Sequence, residues 1–128
     1  MGNVIRKVAY IDQVLMKEIK LKIISEDIKI SLSELGRRIW EFYLEKEFPL
    51  KGYKNMIKDK KRIKAVAVLE NRLQILVDEE LANRIDIKLV SLEKLYKGKD
   101  NQYFSITWIT NELLQRVFID EEFGKIIK

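Results

Sequence analysis

The sequence predicts a mostly α-helical protein: a small helical bundle of four to five helices, with at most one short β-hairpin. Its 128 residues include only five glycines and one proline, and so few chain breakers favour long elements. Apolar side chains recur at intervals of three and four along much of the chain, which places them on one face of a helix. With 47% hydrophobic residues and no linker or internal repeat, residues 1–128 are expected to form a single domain.

A first helix is expected over residues 4–15. Val4, Val8, Ile11 and Leu15 recur at spacings of four and three, so they would share one helical face.

Residues 19–32 have two interpretations. Their apolar residues occupy every second position on either side of a short polar stretch: Ile19, Leu21 and Ile23, then Ile28, Ile30 and Leu32. A period of two is typical of strands, and it favours a hairpin slightly. The alternative continues the first helix through Ile24, since neither glycine nor asparagine marks a tight turn.

The second helix has a clear beginning and end. Ser31 and Glu34 have the spacing of a capping box, which predicts a helix start. Pro49 predicts the end, because the residue before proline avoids helical angles. The expected buried stripe consists of Leu35, Ile39 and Phe42, widened by Trp40 and Tyr43.

A long third helix is expected from Tyr53 or Lys54 to about Arg84, unless it breaks near Asp78. The spacing of four apolar residues supports this prediction: Val66, Leu69, Leu73 and Leu76. A fourth helix should follow and end before Gly98, a residue type favoured just past helix ends. Its apolar positions are Ile85, Leu89, Leu92 and Tyr96.

The last helix is expected to start near Ser105. Residues 103–108 have high strand propensity, but the spacing of Ile106, Ile109, Leu113 and Val117 favours a helix. The apolar side chains of the C-terminal tail are expected to dock on the protein or to bind a partner: Phe123, Ile126 and Ile127.

The composition excludes several classes of site. The chain has no cysteine and no histidine, so it lacks thiolate ligands, the commonest metal ligand and the usual general base. We therefore expect no cofactor, no metal and no enzymatic activity. Without cysteine, signal peptide or a long apolar stretch, the protein is expected in the cytoplasm and not in a membrane. Abundant isoleucine and lysine fit a thermophile or an AT-rich genome.

The strongest functional signal is the basic segment (residues 51–64), which holds seven basic residues and one acidic residue. Residues 1–64 carry a net charge of +7 and residues 65–128 carry −2, so the charge is polarised. Such clusters attract phosphate backbones, and an aromatic side chain among them can stack on a base. The alternative is a solvated helix start that only keeps the protein soluble. The predicted contacts in this segment are Lys51, Tyr53, Lys54, Lys58, Lys60, Lys61, Arg62 and Lys64.

Residues 31–39 (SLSELGRRI) resemble the first helix of helix-turn-helix proteins, and Arg37 and Arg38 could then contact phosphates. The likeness covers nine residues and departs from the pattern after Ile39, where no turn occurs before Pro49. A recognition helix would have to be the basic one after Gly52. The competing interpretation is a core helix with both arginines exposed.

Acidic residues suggest two further sites that we consider weaker. Asp12, Glu18 and Lys20 have the residue types of the D…ExK signature of metal-dependent nucleases, but a separation of six positions between the acids is too short for the usual strand pair. Glu41 and Glu45 lie one helical turn apart, a spacing that can bind a metal. The runs of consecutive acidic residues at 78–80 and 120–122 could also bind one. Without histidine, solvated faces or salt bridges explain these acids better.

The sequence therefore predicts a non-enzymatic, nucleic-acid-associated regulatory protein that binds the phosphate backbone without sequence specificity. The alternative is a protein-interaction module, such as a small adaptor or inhibitor of viral or plasmid origin that docks on a host polymerase or nuclease complex. Its partner would then be an acidic protein surface. A homodimer is expected, because the long third helix would project beyond a compact bundle and expose its apolar stripe.

Overall fold

The computed structural model describes residues 4–51, 72–95 and 105–127. These residues form two strands, β1 (Ile5–Tyr10) and β2 (Arg72–Val77), and four α-helices. The helices are α1 (Gln13–Ser25), α2 (Leu32–Lys46), α3 (Glu79–Leu95) and α4 (Ile106–Leu113), and a π-helical segment (Leu114–Ile119) follows α4 directly. The predicted fold class, mostly helical with one short antiparallel pair of strands, is confirmed.

The two strands lie elsewhere than predicted. β1 pairs with β2 in antiparallel register, with Ile5 opposite Val77 and Tyr10 opposite Arg72. The expected first helix over residues 4–15 is therefore wrong, since this stretch is a strand and α1 begins only at Gln13. Only four apolar residues carried the helical spacing, and so few cannot exclude a strand whose partner lies more than sixty positions away in the sequence.

The hairpin expected over residues 19–32 is also wrong, and the alternative, a helix through Ile24, is confirmed. α1 continues to Ser25 and closes with Asp27 in the left-handed region at φ 50°. The amide of Ile28 donates to the carbonyl of Ile23 at 3.0 Å, and that of Asp27 to Ile24 at 3.2 Å. These two bonds form a Schellman motif, whose left-handed position is usually glycine. The aspartate there concealed the helix end.

The prediction for the second helix is confirmed. Ser31 precedes α2, and its hydroxyl accepts a hydrogen bond from the amide of Glu34 at 3.1 Å. α2 ends at Lys46, three residues before Pro49. Of the predicted stripe Phe42 is half-buried and the other residues are buried: Leu35, Ile39, Trp40 and Tyr43.

The long third helix is wrong over residues 72–77, whereas residues 79–84 are helical as expected. Residues 72–77 form β2, with Leu73 buried and Leu76 40% exposed on opposite faces. Val66 and Leu69 lie outside the described residues. The alternation of Leu73, Ile75 and Val77, all buried, fits a strand as well as the spacing of three fits a helix.

The expected break near Asp78 is present, and the expected fourth helix begins directly after it. Asp78 caps α3, because its carboxylate accepts from the amide of Leu81 at 2.8 Å, and α3 runs to Leu95. The last predicted helix is confirmed: the Ser105 hydroxyl accepts from the amide of Trp108 at 3.4 Å, and α4 begins at Ile106.

One hydrophobic core receives side chains from every element. α2 packs on the sheet at Gly36, where a Cβ atom would lie 2.9 Å from Cγ1 of Ile75, so only glycine allows this approach. The C-terminal tail docks on this body: Ile127 is buried, and the Phe123 ring lies 4.4 Å from that of Phe48. Among the described residues, none of the helices combines the length and apolar character that spanning a membrane requires.

Asn111 holds the end of β1 to α4. The Asn111 side chain is fully buried. Its amide nitrogen donates to the carbonyls of Tyr10 (2.9 Å) and Thr107 (2.8 Å), and its oxygen accepts from the amide of Asp12 (2.8 Å). These bonds satisfy backbone groups where the chain leaves the sheet and enters α1. Burying the same groups without partners would be costly.

We expect Asn111→Asp to lower the free energy of unfolding by about 3 kcal/mol at pH 7, because a buried carboxylate would face two carbonyl oxygens. Burial raises the pKa of this carboxyl in the fold above its unfolded value of about 4. The loss of stability therefore grows as pH rises above about 4 toward the raised pKa, and it is smallest below pH 4. Urea unfolding at several pH values measures it. Asn111→Ala, which adds no titrating group, should show a loss that does not change over the same range.

Candidate nucleic-acid interface

Three of the predicted phosphate contacts lie in the described part of the chain: Arg37, Arg38 and Lys51. The rest of the predicted contacts lie outside the described residues: Tyr53, Lys54, Lys58, Lys60, Lys61, Arg62 and Lys64. The likeness to helix-turn-helix proteins requires a recognition helix after Gly52, and that position also lies outside the described residues. Residues 47–51, between Lys46 of α2 and that point, are not helical.

Arg37 and Arg38 both take part in ion pairs within α2. Arg37 is half-buried and donates to Glu41 at 2.9 Å, with Glu34 at 3.6 Å. Arg38 is exposed and lies 3.3 Å from Glu34. Exposed pairs of this kind contribute little to stability, so a phosphate can exchange with Glu34 at small cost.

Arg37 also lines a cleft of about 350 Å³ between α2 and the start of α3. Acidic groups outnumber basic ones there. The charged residues lining it are Arg37, Glu41, Glu45, Asp78, Glu80 and Arg84. Its excess of carboxylates repels a polyanion. Of the two arginines, Arg38 is therefore better placed to meet phosphate.

Lys51, the first residue of the basic segment, is exposed, and its backbone is anchored to α4 and the π-helical segment. Its amide donates to Oε2 of Glu112 at 2.8 Å, and the carbonyl of Pro49 accepts from Nη1 of Arg116 at 2.9 Å. Leu50 between them is buried. These contacts hold the backbone of Lys51 against α4 and the π-helical segment.

Arg116 is the centre of this anchor. Its guanidinium donates to Glu112 at 2.8 Å and makes two bonds to the Glu122 carboxylate, at 2.9 and 2.8 Å. It also stacks over the Phe48 ring, 4.8 Å from the centroid. The hydrogen bond from Arg116 lowers the pKa of Glu122 below its ordinary value, and the same bond raises the pKa of Arg116. Two carboxylates and an aromatic face thus hold one cation.

The backbone at the end of the π-helical segment makes this arrangement possible. Glu121 adopts the left-handed region at φ 49°, and the amide of Glu122 donates to the carbonyl of Arg116 at 2.9 Å. The chain therefore turns back, and the Glu122 side chain meets Arg116 from outside the helix. Short π-helical stretches often occur at functional sites.

Three of the eight acidic residues that suggested a metal have a cationic partner among the described residues. Glu41 pairs with Arg37, Glu121 with Lys22 at 2.7 Å and Glu122 with Arg116. Within residues 4–51, 72–95 and 105–127, no three carboxylates are placed to hold an ion.

The residues of the nuclease-like signature differ in their environments. Asp12 is buried and caps α1, its carboxylate accepting from the amide of Leu15 at 3.4 Å. Glu18 and Lys20 are exposed on α1. A structural role accounts for Asp12.

Sequence reasoning missed the anchor of the basic segment. Glu112 and Arg116 are spaced four apart on a helical stretch, which predicts an ion pair, but such pairs are common on solvated faces. Nothing in the sequence indicates that Glu112 is buried, that Lys51 reaches Glu112, or that Pro49 reaches Arg116, each across more than sixty positions.

Comparison of the chain with family models, curated proteins and solved structures found no match. Proposals about its function therefore depend on the residues and contacts described above.

Proposed function

We propose that this protein is a non-enzymatic, nucleic-acid-associated regulator that binds phosphate backbones through the basic segment. The observation that carries the proposal is the density of charge at residues 51–64, a net +6 over fourteen positions. Phosphate backbones bind such clusters because each contact releases condensed counterions. As an aromatic residue among the lysines, Tyr53 would stack on a base where the nucleic acid is single-stranded.

The described residues support this proposal at the start of the basic segment. Lys51 is exposed while its backbone is held by Glu112, so its side chain is presented from a fixed position. Arg38 is exposed on α2, and only Glu34 competes for it among the described residues. We place the protein in the cytoplasm, free of membranes, cofactors and metals, on the grounds of its composition.

We expect random duplex DNA to be bound with micromolar affinity that falls steeply with salt, with a slope of about −5 in log K against log salt. Reversing Lys58, Lys61 and Arg62 to glutamate should abolish this binding at physiological salt. At low salt, where residual binding can be measured, the slope should be shallower by about 3. Fluorescence anisotropy over a range of salt concentrations measures both quantities.

The matched control reverses three exposed lysines outside the basic segment: Lys17, Lys20 and Lys46. Both triple variants have the same net charge, so a general electrostatic effect would weaken them equally. If wild type and the Lys58/Lys61/Arg62 variant bind alike, the basic segment is not the site. No binding by wild type would favour the alternative function.

That alternative, a protein-interaction module, is supported by an apolar stripe on α1. Val14, Leu21 and Ile24 lie on one face of the helix and are 52%, 66% and 76% exposed. Large exposed apolar patches are typical of protein interfaces. The partner would be an acidic protein surface, since Lys17 and Lys20 lie beside the stripe.

A homodimer also belongs to the proposal, but its support has changed. The helix stripe that suggested it is not present, since Leu73 and Leu76 belong to β2. The exposed face of α1 is now the observation that favours a second copy of the chain.

A further inference from the structure

The two-stranded sheet has one face turned toward the core and one turned away from it. Leu73, Ile75 and Val77 are buried on the core face, which α2 covers. Side chains alternate along a strand, and paired residues project to the same side, so the other face is defined by the register. It carries three pairs: Arg6 with Leu76, Val8 with Gln74, and Tyr10 with Arg72. We call this face the outer ribbon face.

The helices hold the ribbon by its edges and its core face. The amide of Tyr10 donates to the Thr107 hydroxyl at 3.3 Å, and its carbonyl accepts from Asn111. On the other edge the amide of Leu76 donates to the Ser33 hydroxyl at 3.2 Å. The N–H and C=O of one strand residue point to the same edge, so none of these contacts between described residues lies on the outer ribbon face. On that face Arg6 and Leu76 are exposed, and the other four side chains are half-buried. Val8 and Leu76 lie outside the core, whereas Tyr10 packs against it.

The outer ribbon face carries cationic and amide groups and no carboxylate. Arg6 is exposed and makes no ion pair with any described residue, and the half-buried Arg72 makes none either. Nε of Arg72 is buried without a hydrogen-bond partner, so a base edge would have to meet the other nitrogens of this guanidinium. Lys7, which projects to the core face, is by contrast paired with Asp86 at 2.6 Å.

We propose that the outer ribbon face enters the major groove of duplex DNA and reads base edges there. This inference rests on the proposed function. A two-stranded ribbon fits the major groove, where arginine pairs with guanine and glutamine with adenine. Arg6, Gln74 and Arg72 supply those groups over about 13 Å of strand, the length of about four base pairs. The absence of carboxylates on this face matches the charge of the duplex.

Two further considerations favour DNA and this position. The major groove of A-form RNA is too narrow for side chains to read, so a ribbon of this kind suits B-form DNA. Arg72 follows Lys64 by eight positions, so the basic segment and β2 are close in the sequence. Phosphate contacts from the basic segment would then position the ribbon, and the ribbon would supply specificity.

The test is selection of bound sequences from a randomised duplex library with the full-length protein. We expect wild type to enrich a short motif, with at least tenfold tighter binding than random duplex. Gln74→Ala and Arg6→Lys should each reduce that preference about tenfold, since alanine removes the amide and lysine lacks the planar fork of arginine. Because Arg6→Lys keeps the charge, affinity for random duplex should change less than twofold. Lys17→Ala, a change at an exposed lysine away from the ribbon, should leave the preference intact.

The outcomes separate this inference from the proposed function. Salt-dependent binding without any enriched motif would contradict base recognition by the outer ribbon face and would remain consistent with phosphate binding by the basic segment. If wild type enriches a motif but Gln74→Ala and Arg6→Lys bind that motif as tightly as wild type does, base recognition by the outer ribbon face is also contradicted. Failure of wild type to bind any duplex would refute the proposed function and this inference together. Thermal unfolding by circular dichroism confirms that each variant is folded.

Discussion

Trp40→Ala should lower the free energy of unfolding by about 3–5 kcal/mol, which is a large part of the stability of a domain of this size. The Trp40 side chain is fully buried at the centre of α2. Its indole Nε1 donates to the Thr110 hydroxyl at 3.0 Å, and its ring meets Tyr43 edge to face at 5.8 Å. The substitution opens a cavity and removes the partner of a hydroxyl on the fully buried Thr110.

Urea unfolding followed by circular dichroism measures this loss, because fluorescence would also change through the removal of the tryptophan itself. Trp40→Phe keeps most of the volume and loses the donor, so we expect a smaller loss of about 1–2 kcal/mol. Ile24→Ala, at a side chain that is 76% exposed, should have almost no effect. A loss below 1 kcal/mol for Trp40→Ala would show that this side chain is not central to the core.

Arg116→Met should cost about 3 kcal/mol, because it removes the cation from the Glu112 carboxylate, whose side chain is only 4% exposed. Methionine keeps much of the side-chain length and its contact with Phe48, so the loss reports mainly on charge and hydrogen bonds. The carbonyl of Pro49 and the carboxylate of Glu122 lose their donor in the same step. Glu122 is more exposed, at 39%, and contributes less.

A double-mutant cycle with Glu112→Gln isolates the ion pair. The double variant should be more stable than the sum of the two single losses indicates, by about 1–2 kcal/mol, since the charge–charge contact between Glu112 and Arg116 is lost only once. Additive losses would mean that Glu112 and Arg116 do not interact.

Acidity supplies a second measure of the same network. Arg116 lowers the pKa of Glu122 in the fold, so the stability from this contact is present above the ordinary value of 4.5 and is lost as pH falls through the lowered value. The difference between wild type and Arg116→Met should therefore shrink in acid. A difference that does not change down to strongly acidic pH would contradict the assigned contacts of Glu122.

Several elements could be predicted because their signals are local. Ser31 with Glu34 and Ser105 with Trp108 are caps that act over three residues, and both helix starts are where the sequence places them. The Schellman end at Asp27 is equally local but was missed, because an aspartate occupies the position that glycine usually takes. The charge of the basic segment is a property of composition and needs no fold to be recognised.

By itself the sequence determined the mostly helical class, the bounds of α2, the start of α4 and the polarity of charge, since each of these depends on neighbours in the chain. Only the tertiary structure decided that residues 5–10 and 72–77 are strands, that Asn111 and Arg116 hold distant backbone groups, and that Arg6 and Arg72 share one face. The physical reason is the range of the interactions. A helix closes its hydrogen bonds within four residues, whereas a strand or a buried polar group needs a partner that only the folded chain brings near.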